Sequence, residues 1–179
     1  GREALLNFPE AYFTLLEPQE WLKPSFQDLL DINSKIDFHA VGAGAETGSF
    51  LFTLVNRDDS CSFRYTKEEA ELGDYKQIEI PVITLNELVE SKPDLPFPDL
   101  VKIDAEGMDI EVLKGASDLF GKTEVFLVEA SVNSSLYDNT VLEMINFMDQ
   151  KRYALFEITD LNRPFSPNIL WLVELAFVK

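Results

Sequence analysis

Two carboxylates one residue apart, Asp104 and Glu106, close the short apolar run Leu100-Val101-Lys102-Ile103, and Gly107 follows them. Two more acids stand just past apolar runs: Glu17 after Ala11 to Leu16, and Glu129 after Glu124 to Val128. Carboxylates that crowd one another and lose water have raised pKa values, which suits a base that takes a proton near neutral pH. Asp104 and Glu106 sit at alternate positions of a strand end, so they project to one side of a crevice. The competing role is structural, because acids also cap helices and stabilise their first N–H groups. For Glu129 the capping or turn role is the stronger of the two readings. Oxygen ligands of this kind suit Mg²⁺ or Ca²⁺, yet three carboxylates without a fixed geometry assign no metal.

The remaining reactive side chains are few. His39 is the only histidine, which excludes a multi-histidine metal centre, and it reads as a wall residue. Cys61 is the only cysteine and has no neighbouring base to activate it, so it reads as an inert thiol. A single cysteine excludes an internal disulfide and points to a reducing, cytoplasmic setting. Trp21 and Trp171 read as core. The net charge of −17 repels phosphate backbones, which argues against a nucleic-acid partner. No apolar run is long enough to span a bilayer, and a homo-oligomer is compatible with the sequence.

The elements that must position these acids alternate between two periods. Ala11 to Leu16, Ile36 to Val41, Leu100 to Ile103 and Glu124 to Val128 read as strands. Gly1 to Phe8, Glu20 to Asp31, Leu85 to Val89, Met108 to Leu113 and Asn139 to Lys151 read as helices. Ser49 to Asn56 and Ser62 to Thr66 read as a hairpin, and Ile78 to Thr84 as an edge strand because it contains Pro81. Arg152 to Ile158 and Leu170 to Val178 read as a closing antiparallel pair. This order implies one α/β domain with a mostly parallel, doubly wound sheet and an antiparallel C-terminal hairpin. The glycine cluster Gly42-Ala43-Gly44-Ala45-Glu46-Thr47-Gly48 follows a strand, as a nucleotide-binding loop would. The alternating Phe50-Leu51-Phe52-Thr53-Leu54 after it predicts a strand instead of the helix such a loop requires.

Several of these stretches together resemble the FkbM-type S-adenosylmethionine-dependent methyltransferase domain. They are Leu16-Glu17-Pro18-Gln19, Ile80 to Leu88, Val101 to Gly107 with Val112-Leu113-Lys114-Gly115-Ala116, and Leu170 to Val178; Ser60-Cys61-Ser62 adds a small-hydroxyl turn. The resemblance implies a Rossmann-like methyltransferase fold over residues 1–179 and methyl transfer to a hydroxyl of a sugar, natural product or glycan. It implies S-adenosylmethionine as cofactor, with Glu17 on the ribose, Ala40 and Val41 near the adenine, and Asp104 and Glu106 beside the transferred methyl. The family's domain opens with a strand and a glycine loop that this chain lacks, so the resemblance implies an N-terminally truncated domain. Two unpaired strand edges in mid-sheet and impaired cofactor affinity are then expected. The alternative is a noncatalytic or truncated domain of the same fold that serves as a binding module.

Overall fold

The computed structural model describes all residues except 1, 33, 34, 57–59, 134–138 and 165. The expected single sheet is divided into three. Strands β1 (Phe13–Leu16) and β2 (Ile36–His39) form a parallel pair. The second sheet orders β3 (Gly42–Ala43), β5 (Lys76–Ile83) and β4 (Gly48–Leu54) as β3-β5-β4. The third orders β6 (Leu100–Ile103), β7 (Val125–Ser131), β8 (Ala154–Asn162) and β9 (Leu172–Val178) as β6-β7-β9-β8. Pairing is parallel for β1/β2, β3/β5 and β6/β7 and antiparallel for β4/β5, β7/β9 and β8/β9. A mostly parallel sheet is therefore corrected to mixed sheets in an α/β fold. Among the described residues β1 pairs only with β2 and β6 only with β7. Each therefore has one edge without a partner strand among these residues.

The glycine cluster behaves as its context predicts. Gly42 and Ala43 form a two-residue parallel strand, and a turn leads into β4 with no intervening helix. The partner of β4 is a correction: it pairs with β5, while Ser62 contributes only an isolated bridge to Thr53. Pro81 is also misjudged by its chemistry, since β5 is the central strand of its sheet. The position is tolerated because β3 is so short that it pairs only with Val82 and Ile83.

One core joins the pieces. On β6, β7 and β9 the alternating residues Ile103, Phe126, Val128, Val173, Leu175 and Phe177 point inward. They meet α4 (Leu85–Glu90), α5 (Asp109–Lys114) and α6 (Val141–Gln150) through Leu88, Val112, Leu113, Met144 and Met148. Met144 and Met148 are four apart, hence on one helix face, and full burial of each contributes roughly 1.5–3 kcal/mol. Thr140 caps α6 in a capping box with Glu143, and Thr84 caps α4. Leu16 and Ala43 pack on the same cluster, which ties the two smaller sheets to it. Residues 20–31 split into a 3₁₀ segment, Glu20–Phe26, that contains Pro24, and α2 (Gln27–Ile32). Trp21 is 47% exposed, so it is not core.

Gly115 explains why a glycine follows Val112-Leu113-Lys114. A Cβ there would lie 2.0 Å from the Gly44 carbonyl oxygen, and the Gly115 carbonyl itself accepts the Asn86 N–H at 3.0 Å. The end of α5 is thus pressed against the glycine turn and the start of α4. Gly115→Ala forces backbone apart and is expected to destabilise the protein by about 1–3 kcal/mol or more. Urea denaturation measures this, and a midpoint equal to wild type would mean the contact yields freely.

Candidate active site

The ends of β6 and β7 bring the acids together. The strands are parallel with Ile103 opposite Val128, so Asp104 and Glu129 follow at one level on neighbouring strands. β6 stops at Ile103, however, and Asp104 to Met108 form a turn in which the Met108 N–H donates to the Ala105 carbonyl at 3.1 Å. Strand alternation therefore does not orient Asp104 and Glu106. Their directions come from the backbone of the turn, where Glu106 has φ +50° and Gly107 φ +92°. A side-chain-bearing residue in the left-handed region is strained by roughly 1–2 kcal/mol, and strain of this kind gathers at functional sites. The Ser62 hydroxyl donates to the Glu106 carbonyl at 3.0 Å and accepts the Arg64 N–H at 3.2 Å, bracing the turn from the segment bridged to β4 at Thr53.

Neither Asp104 nor Glu106 caps a helix. α5 begins at Asp109 after Met108, which makes no side-chain cap bond. The acid that ties the turn to the helix is Asp109, fully buried, whose Oδ1 accepts the Ala105 N–H at 3.3 Å and whose Oδ2 accepts from Asn139 Nδ2 at 2.9 Å. Burial pushes the Asp109 carboxyl up to about 6, against the lowering effect of its backbone hydrogen bonds.

Glu129 departs most from expectation. It lies inside β7 and is not a cap or turn residue. Its side chain is half-buried beside Glu106, Gly107, Ser131, Asn139 and Leu172, which line a cleft of about 10 Å³. That is roughly the space of one water-sized group, the size of a hydroxyl. Desolvation first, then the charges of Asp104, Asp109 and Glu106, push the Glu129 carboxyl up to about 8, with Lys102 opposing. Lys102 contacts Glu174 and lies 3.8 Å from Asp104 Oδ2. Burial works against its ammonium, yet Glu174, Asp104 and Glu129 hold its pKa above the usual lysine value. Glu174 faces Glu129 across the β7/β9 ladder, and its second oxygen accepts from Thr159 Oγ1 at 2.7 Å. Among the described residues these acids share Lys102 as their cation.

On the side assigned to the cofactor, Glu17 follows β1 and Asp104 follows β6. Leu16 and Ile103, the residues before them, share one hydrophobic cluster. Glu17 Oε1 accepts the Gln19 N–H at 2.9 Å, which orients the carboxylate and leaves Oε2 to accept from a ligand hydroxyl. Ala40 and Val41 are half-buried between β2 and β3, and His39 before them is paired with Asp37 at 3.0 Å. These residues offer a hydrogen-bond acceptor, Glu17, and the half-buried apolar side chains of Ala40 and Val41. Cys61 is buried, with its Sγ accepting the Val55 N–H at 3.4 Å, which suits an inert thiol. Among the described residues no cluster of histidine, cysteine and carboxylate ligands has metal-binding geometry, and no helix is long and apolar enough to cross a membrane.

A larger concavity of about 360 Å³ lies elsewhere, between the end of α4 and the segment before β6. None of the four acids lines it. Of its two lysines, Lys92 is bonded to Asp37 and Lys122 sits 3.9 Å over the Phe97 ring. Volume alone would select it, but Glu106 and Glu129 line the smaller cleft.

Among solved structures, the chain is similar in fold to a methyltransferase FkbM from Methylobacillus flagellatus KT. The match has a TM-score of 0.55 at 18% identity and covers 92% of this chain and 36% of that one. The chain thus spans about a third of that protein's length. Comparison with curated proteins yields no match. Residues 6–155 match the methyltransferase FkbM domain. With most of its length matched, and with its acid-bearing turn and strand ends inside that match, the chain belongs to the FkbM methyltransferase domain family.

Proposed function

We propose that this chain is the domain of an S-adenosylmethionine-dependent O-methyltransferase that acts on a hydroxyl of a sugar, natural product or glycan. The observation that carries this reading is the convergence of Asp104, Glu106 and Glu129 where β6 ends beside its parallel neighbour β7, the side of open α/β sheets on which ligands bind. Bound S-adenosylmethionine supplies an activated methyl group. Glu17, with Ala40 and Val41, holds its ribose and adenine, and Asp104 stands at the border between cofactor and acceptor. The protein's own work is to place an acceptor oxygen in line, worth up to roughly 7–11 kcal/mol, and to take its proton. Glu129 joins Glu106 for the second task, because its pKa of about 8 matches a base at neutral to mildly alkaline pH.

The test is transfer of labelled methyl to a panel of sugars and glycans by wild type and Asp104→Asn. The expected outcome is hydroxyl methylation lowered at least tenfold by the substitution. Wild-type turnover unchanged in Asp104→Asn removes Asp104 from the mechanism. Binding of an acceptor with no transfer at all favours the noncatalytic binding module.

A further inference from the structure

Asn139 is 4% exposed, and its amide makes three hydrogen bonds to two different segments. Nδ2 donates to Asp109 Oδ2 at 2.9 Å and to the Glu129 carbonyl at 3.0 Å. Oδ1 accepts the Ile110 N–H at 3.3 Å, and the Asn139 carbonyl accepts the Ser131 N–H at 2.8 Å. One side chain therefore joins β7 at the residue bearing the acid, the first turn of α5, and, through Asp109, the Asp104–Met108 turn. It also lines the cleft between Glu106 and Glu129. We propose that Asn139 is a positioning residue for the reaction: with Asp109 as its relay, it fixes Glu129 and the Glu106 turn on facing walls of the cleft.

The side-chain type follows from the partners. Two of the three groups it meets are acceptors and one is a donor, a set that a neutral primary amide satisfies. An aspartate of the same shape offers no donor when ionised and adds charge beside Asp109. This proposal rests on the methyltransferase reading for its kinetic consequence, but not for its structural one.

The experiment compares wild type, Asn139→Ala and Asn139→Asp in two ways. The first is ¹³C NMR titration of Glu129 in the whole chain. Among the described residues Glu129 is faced by Asp104, Glu106, Asp109 and Glu174 as acids and by Lys102 as cation. Asn139→Ala leaves Asp109 without its donor, so Asp109 protonates more readily; the cleft also hydrates, and Glu129 titrates at lower pH. Asn139→Asp adds a charge, and Glu129 titrates at higher pH. Opposite displacements support the proposal, and a Glu129 titration unmoved in both variants overturns it. The second readout is methyl transfer, with kcat expected to fall about 10–100-fold while the cofactor KM stays within about twofold. Unaltered kcat in variants that melt like wild type overturns the positioning role. Should Asn139→Ala not fold, the isosteric Asn139→Asp carries both readouts. If wild type transfers no methyl, the functional reading fails, and the titration alone decides the proposal.

Discussion

Glu129→Gln is expected to lower methyl transfer by about 10²–10⁴-fold, the usual contribution of a general base, and to remove the rise of activity with pH. The reason lies in where Glu129 sits. It is half-buried inside β7, with the charges of Asp104, Asp109 and Glu106 adding to its desolvation and Lys102 in partial compensation, so its charged form is disfavoured and its pKa is pushed up to about 8. A base must be deprotonated to act, so wild-type kcat climbs as pH passes through about 8 and levels above it. Glutamine keeps the shape and cannot accept a proton, so the residual activity is flat over that range. The same shift has a stability consequence of definite sign. An unfolded glutamate ionises near 4.5, whereas the folded one holds its proton to about 8. Between those values the folded state binds more protons than the unfolded state, so stability falls as pH rises. Glu129→Gln removes that fall and is expected to melt higher than wild type above pH 8. A pH–rate profile of the glutamine variant that still rises through pH 8 would assign the limb to another group.

The order of elements was legible because it depends on local periodicity. The apolar runs of β7 and β9, the helical spacing of Val141, Leu142 and Ile145 in α6, and the strand after the glycine cluster all carry their signals within a few residues. Pairing was less legible, since it depends on partners far away in sequence. The strand between β3 and β4 in space is β5, some 20 residues downstream of the end of β4, and no short-range pattern announces it. The acids divide along the same line. Asp104 and Glu106 stand out because they interrupt a strand-like run, but their orientation needed the left-handed backbone at Glu106, for which the following Gly107 was the one available hint. Glu129 was underrated because strand β7 runs on to Ser131, past the point where its apolar pattern ends. Asp109 and Asn139 escaped notice for a different reason. A lone acid at a helix start and a lone asparagine before a helix look like exposed end residues, and only burial reveals that they bond to each other.

Glu106→Gly is expected to separate stability from activity. Relief of the left-handed backbone is worth roughly 1–2 kcal/mol, and the larger entropy a glycine loses on folding offsets about 0.5–1 kcal/mol of it. The Ser62 bond to the residue 106 carbonyl is a backbone contact and survives the change. Loss of one of the charges that crowd Glu129 acts in the same stabilising direction. The glycine variant should therefore be at least as stable as wild type and about 1 kcal/mol more stable than Glu106→Ala, which keeps the strained backbone without the carboxylate. Methyl transfer should fall in both, because both lack the acid on the turn's wall of the cleft. Guanidinium denaturation and initial rates on the same preparations give the two coordinates. A glycine variant less stable than the alanine one would mean that the turn imposes no strain. Full activity in both would mean that the turn holds position 106 for packing, and the proton would then pass through Glu129 alone. The expected pair of results, stability kept and turnover lost, is the signature of backbone strain retained for what the side chain does.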